Sequence, residues 1–217
     1  MILKFNQIEE LFREVDEIIE QKINLYIIGG AALLFKGLKG STKDIDVIVK
    51  NNEERLHLEE ALRDIGFKGD RLTNEYKNLE ITYILKREDF RIDLFMKKVC
   101  STLSLSEGIE KRAEIIFSGK NLRVFVCSNE DILLFKAIAR RDADIDDCIA
   151  LARQSLDWQI ISKEIKTQIK NGKEIWITYL AEGLEKIEEK GIDIPIMKEV
   201  RDSYKKYMDK IDSTKNI

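Results

Sequence analysis

An apolar run broken by a glycine pair, YIIGGAALLF, is followed shortly by a second apolar run carrying two aspartates, KDIDVIV. Together they limit what the chain can build between Tyr26 and Val49. Glycines directly after a buried strand mark a turn at which the backbone passes close to something else. The N–H groups opening a helix over Ala31–Phe35 would point toward whatever sits over Gly29 and Gly30. Alternate residues of a strand face opposite ways, so Asp44 and Asp46 share one side while Ile45, Val47 and Val49 enter the core. Two carboxylates about 7 Å of chain apart repel each other unless a cation or proton lies between them. Such hard oxygen donors suit a divalent ion such as Mg²⁺.

The segment FRIDLFM repeats the design: Ile92, Leu94 and Met96 form an apolar face, and Asp93 lies opposite, alongside Arg91. If this strand neighbours the first, Asp44, Asp46 and Asp93 converge, as two-metal phosphoryl or nucleotidyl transfer requires. Glu80, in LEITYIL, is a competing strand carboxylate. Around the glycine turn Ser41 and Thr42 offer hydroxyls and Lys43 a positive charge to a polyphosphate, whereas Lys36 and Lys39 read as ordinary surface lysines. The lone His57 has no partners at metal spacing and reads as a surface residue.

Periodicity organises the rest. An amphipathic helix opens the chain and ends near Lys22; strands follow at Asn24–Ile28 and Ile45–Val49, then a helix over Glu53–Ile65. Leu79–Leu85 and Phe90–Met96, joined by a charged turn, predict an antiparallel hairpin, and Leu122–Cys127 another strand. Beyond Asn129 the pattern is helical. The expected architecture is α+β (α/β): a mixed sheet flanked by helices over residues 1–127, and a helical region, 128–217, packed on it. With 217 residues, 44% of them hydrophobic, there is material for one core and a smaller lobe. Charged residues make up 35% of the chain, yet the net charge is only −3, so no global field attracts nucleic acid. Cys100, Cys127 and Cys148 fit neither a zinc pattern nor a disulfide framework. No run reaches the roughly 18–20 apolar residues of a membrane span, and a cytoplasmic protein without membrane contact is expected.

In the helical part, Lys136 is the lone charge in ILLFKAIA; it either snorkels to the surface or meets an anion. Asp142, Asp144, Asp146 and Asp147 can also be read as an acidic helix start. Trp158, Trp176, Tyr179, Tyr204 and Tyr207 read as core packing before base stacking, and the chain is expected to fray after Ile211.

Gly29, Gly30, Asp44, Asp46 and Asp93, in that order, resemble the nucleotidyltransferase superfamily, and EDILLFKAIARRDADIDDC is similar to its AbiEii-like and related branch. The resemblance covers roughly residues 24–150. It implies a mixed-sheet catalytic core, two Mg²⁺ ions, an NTP donor and transfer of a nucleoside monophosphate to a hydroxyl on RNA, protein or a small molecule. By that resemblance Gly29 and Gly30 approach the phosphates, and Asp44 and Asp46 hold metal. Asp93 completes the metal site or helps deprotonate the acceptor. Lys136 contacts the donor phosphates, with Arg141, Asp144 and Asp147 in the same nucleotide-binding set. One departure is Ala143, where members often carry a basic residue. The resemblance extends to the toxin half of a toxin–antitoxin pair with a cognate antitoxin. The alternative is a catalytically silent nucleotide-binding or partner-binding module of the same fold.

Overall fold

The computed structural model describes residues 1–70, 81, 83–99, 103–139, 141–171 and 174–215. Leu79, Glu80, Thr82 and Cys100 lie outside them, and so does the start of the strand expected at Leu79. Contacts divide the chain into two units, Met1–Ser128 and Asn129–Ile217.

The first unit is built on a mixed sheet, seven-stranded among the described residues. Its central strands are β1 (Ile23–Ile28) and β2 (Ile45–Val49), which run antiparallel with Tyr26 opposite Ile48 and Ile28 opposite Asp46. On one flank β2 pairs in parallel with a strand over Phe90–Met96, which forms an antiparallel hairpin with Tyr83–Arg87, as the charged turn predicts. Lys68–Asp70 adds the outermost strand there. Counting it as β3, the hairpin strands are β4 and β5. Two short strands, β6 (Lys98–Val99) and β7 (Leu103–Ser104), pair with each other outside the main sheet. On the other flank β1 pairs in parallel with Leu122–Val126, which pairs antiparallel with Glu114–Ser118. These last two are β9 and β8.

Burial explains which face holds helices. Helix α1 (Phe5–Ile18) buries Ile8, Leu11, Phe12 and Val15, one stripe at helical spacing. Helix α3 (Asn52–Asp64) buries Leu58, Ala61 and Leu62. Leu11, Phe12 and Val15 close with Leu58 and Leu62 over Leu25, Ile45, Val47 and Ile92, so the apolar faces of β1, β2 and β5 make the core. Residues of opposite parity, including Asp46 and Asp93, are on the other face. Between β1 and β2 lies the short α2 (Gly29–Phe35).

The structure departs from the sequence reading in several places, the short strands β3, β6 and β7 among them. Helix α1 stops at Ile18, short of Lys22, because Ile19 turns to extended backbone (φ −70°, ψ 126°) and buries its side chain to lead into β1. Glu114–Ser118, unassigned by periodicity, is an edge strand; its outer residues Glu114 and Ile115 are exposed and give no alternation to read. Ahead of it Glu107–Arg112 forms α4, whose Ser106 hydroxyl caps Ile109 N–H at 3.1 Å.

Asp16 clasps α1 to the β8–β9 turn. Its carboxylate accepts the backbone N–H groups of Lys120, Asn121 and Leu122 at 2.8, 2.8 and 2.7 Å. Partial burial would raise its pKa, but these bonds outweigh that and hold it below the ordinary value. Asp16→Ala is expected to cost about 2 kcal/mol, since charge-assisted bonds are the stronger kind. Because the folded-state pKa is depressed, this stability is present above the usual Asp pKa and is lost as pH falls through the folded value. Urea melts of both proteins across that acid range check it: the difference between them should shrink as pH falls.

The second unit is helical: α5 (Asn129–Ala139), α6 (Asp142–Ala152), α7 (Trp158–Asn171), α8 (Trp176–Glu189) and α9 (Met197–Lys215), the last continuing past Ile211. Every residue of α5 from Asp131 to Ile138 is buried. Trp176 is fully buried, as core packing requires. Among the described residues no helix is long and apolar enough to cross a membrane.

Candidate active site

Ile28 ends β1 opposite Asp46, so the next residue must turn beside that carboxylate. Gly29 does so with φ +65°, and a Cβ there would lie 2.0 Å from Asp46 Oδ2. Both the left-handed backbone and the contact exclude a side chain. Gly30 is constrained differently: its Cβ would meet Thr42 Oγ1 at 2.4 Å. Thr42 is buried, its hydroxyl donates to the Asp44 carbonyl at 2.9 Å, and its backbone exchanges hydrogen bonds with Ile2 at 2.9 and 3.0 Å. The hydroxyl read as a phosphate donor therefore braces the loop that carries Asp44. Ser41 is half-buried and Lys43 exposed, both within this loop.

Asp44 and Asp46 are half-buried, Asp44 immediately before β2 and Asp46 within it. In the parallel pairing of β2 with β5, Asp46 stands directly beside Asp93, with neighbouring strands about 4.8 Å apart. Continuing the same offset two residues back, one beyond the end of the pairing, sets Asp44 beside Arg91. Strand order thus brings three acidic positions and one basic position onto one patch of one sheet face.

The side chains do not close around a common point. Asp93, 2% exposed, receives Arg91 Nε on Oδ1 and Arg91 Nη2 on Oδ2, both at 2.7 Å. This two-pronged pairing is the strongest geometry open to an arginine and a carboxylate. Among the described residues no group of three His, Cys, Asp or Glu side chains is gathered as a metal site. The donor chemistry of Asp44 and Asp46 at a side-chain-free turn fits a divalent cation, while Asp93 is bound to Arg91. Sequence alternation gives the shared face of Arg91 and Asp93; it assigns the arginine no part in the site.

Within the helical unit Lys136 is buried and meets an anion, the protein's own. Its Nζ lies 3.0 Å from Asp144 Oδ1 and 2.7 Å from Asp147 Oδ2. Burial would lower the Lys136 pKa, but the Asp144 and Asp147 carboxylates outweigh it and hold the lysine above its ordinary value. Asp144 also takes Arg141 Nε at 2.5 Å. Burial would raise the Asp144 carboxyl, and Lys136 with Arg141 instead keeps it lowered. Asp142 and Asp146 are exposed at the helix start. Burial pushes the neighbouring Cys148 thiol up to about 12, so it stays protonated and unreactive at neutral pH.

A family model described as "Nucleotidyltransferase of unknown function (DUF6036)" matches residues 4–179. Among solved structures, ANT(2'')-Ia in complex with adenylyl-2''-tobramycin is similar over 77% of this chain and 97% of its own, at 16% identity and a TM-score of 0.50. JHP933 from Helicobacter pylori aligns over 98% of this chain and 97% of its own, at 12% identity and a TM-score of 0.42. No curated protein matches the chain.

Proposed function

The chain belongs to the nucleotidyltransferase family DUF6036, and on that premise we propose that it moves a nucleoside monophosphate from an NTP to a hydroxyl acceptor in a Mg²⁺-dependent reaction. The observation that supports this most is the pairing of Asp46 with Asp93 beside a Gly29 turn that tolerates no side chain. Mg²⁺ held by Asp44 and Asp46 would supply Lewis-acid stabilisation of the triphosphate. Around it the chain's own groups divide the work. Gly29 and Gly30 let the phosphates approach the backbone, with Ser41 and Lys43 on the adjoining loop. Asp93, in register beside Asp46, is assigned to joining the metal site or taking the acceptor proton. The acceptor oxygen forms a bond to the α-phosphorus, the α–β bridging bond breaks, and pyrophosphate departs.

Lys136, Arg141, Asp144 and Asp147 are assigned to donor binding by their match to the superfamily's helical motif. Their mutual pairing supports a second function, holding that motif rigid. A toxin role with a cognate antitoxin rests on resemblance alone, and RNA, protein and small-molecule acceptors all stand within the reading.

The test is incubation with Mg²⁺, each labelled NTP in turn, and a panel of acceptors: bulk RNA, the protein itself and a polyhydroxylated small molecule such as tobramycin. Labelled acceptor appearing with equimolar pyrophosphate is expected. Mg²⁺-dependent NTP binding without pyrophosphate from any acceptor would instead favour the silent module, a reading supported by the commitment of Asp93 to Arg91.

A further inference from the structure

We propose that Arg91 is a placeholder cation: it holds both carboxylate oxygens of Asp93 and must release that carboxylate for a Mg²⁺ at Asp44 and Asp46 to recruit it. This rests on the metal-site reading above. Three acidic positions share one patch of the sheet face, Asp46 and Asp93 in adjacent register and Asp44 one step away. Carboxylates at such spacing repel one another unless a positive charge lies among them. The chain provides one on the same patch, two residues before Asp93 on β5.

The pairing has the features of a substitute for a metal rather than of a surface ion pair. Arg91 spans both oxygens of Asp93 at 2.7 Å, and the carboxylate it holds is 2% exposed. A buried carboxylate stripped of its partner is costly, so Asp93 keeps this arginine until another cation takes its place. An ion that recruits Asp93 must displace at least one of the two arginine contacts, and the freed guanidinium then lies on the same patch as the incoming polyphosphate. Arg91 is on this view a positioning residue. It lowers affinity for the metal alone and leaves the site to be completed when metal and nucleotide arrive together.

The prediction runs opposite to that for a structural arginine. In titration calorimetry with Mg²⁺ alone, Arg91→Gln should bind the ion about tenfold tighter than the wild type, since a repelling positive charge a few ångströms away is removed. Its melting temperature in EDTA should fall, and Mg²⁺ should restore more of it than in the wild type. If Arg91→Gln is too unstable to titrate, Arg91→Lys, which keeps the charge but loses the two-pronged contact, should show a smaller gain in the same direction. Asp46→Asn separates the two ideas. If it abolishes Mg²⁺ binding while the Arg91 variants bind no tighter than wild type, the placeholder is overturned and the metal site stands. If Mg²⁺ binding survives Asp46→Asn, or no variant binds Mg²⁺, the site reading falls and the placeholder with it.

Discussion

Asp46→Asn should reduce nucleotidyl transfer by roughly three orders of magnitude while leaving the fold intact. A metal's electrostatic help to the transition state is worth several kcal/mol, and about 4 kcal/mol corresponds to a thousandfold in rate. Asparagine keeps the shape of the side chain, so the fit against Gly29 is preserved; only the charge proposed to hold the cation is lost. Stability should barely move, because the substitution also removes one member of a carboxylate pair in adjacent register. Single-turnover pyrophosphate release and a thermal melt on the same preparation give both numbers. Activity within tenfold of wild type would show that Asp46 is not a metal ligand.

The largest expected loss of stability lies elsewhere, at Gly183. Glycine inside a helix is ordinarily about 1 kcal/mol worse than alanine, so Gly183→Ala in an isolated helix would be favourable. Here the added Cβ would fall 2.2 Å from the Ala137 carbonyl oxygen and 2.9 Å from its carbon. The obstacle is backbone, in a helix buried along nearly its whole length, and no side-chain rotation relieves it. Helices α5 and α8 would have to move apart, at a net cost of about 2–3 kcal/mol. Both tryptophans of the chain, Trp158 and Trp176, lie in this helical unit, so tryptophan fluorescence during urea denaturation reports on it directly. A midpoint equal to or above that of wild type would mean the helices have room the geometry denies.

How much of this could be read from the residues depends on the range of the interaction. Alternation alone assigns Asp46 and Asp93 to the polar side of their strands, and the glycine pair marks a turn. That β5 lies beside β2, in parallel and in register, is decided by packing of the intervening chain, and no local pattern encodes it. The lone charge of ILLFKAIA predicts that Lys136 leaves the apolar stretch or finds an anion; its partners, on the next helix, become visible only once the two helices pack. Asp16 shows the extreme case: nothing in FREVDEI anticipates three backbone donors a hundred residues away. Edge strand β8 escaped because none of its residues is buried, so no buried apolar face alternates with an exposed one.

The central place of β1 has a consequence for how the chain is made. One of its neighbours, β2, follows soon after it, but the other, β9, spans Leu122–Val126. A chain emerging from the ribosome at about 5–20 residues per second exposes an unpaired, apolar strand edge for several seconds before its partner exists. Pairings between residues so distant in sequence form slowly. The interval during which this protein is most prone to associate with other nascent chains is therefore set by the span between β1 and β9, and crowding at high expression lengthens the odds against it.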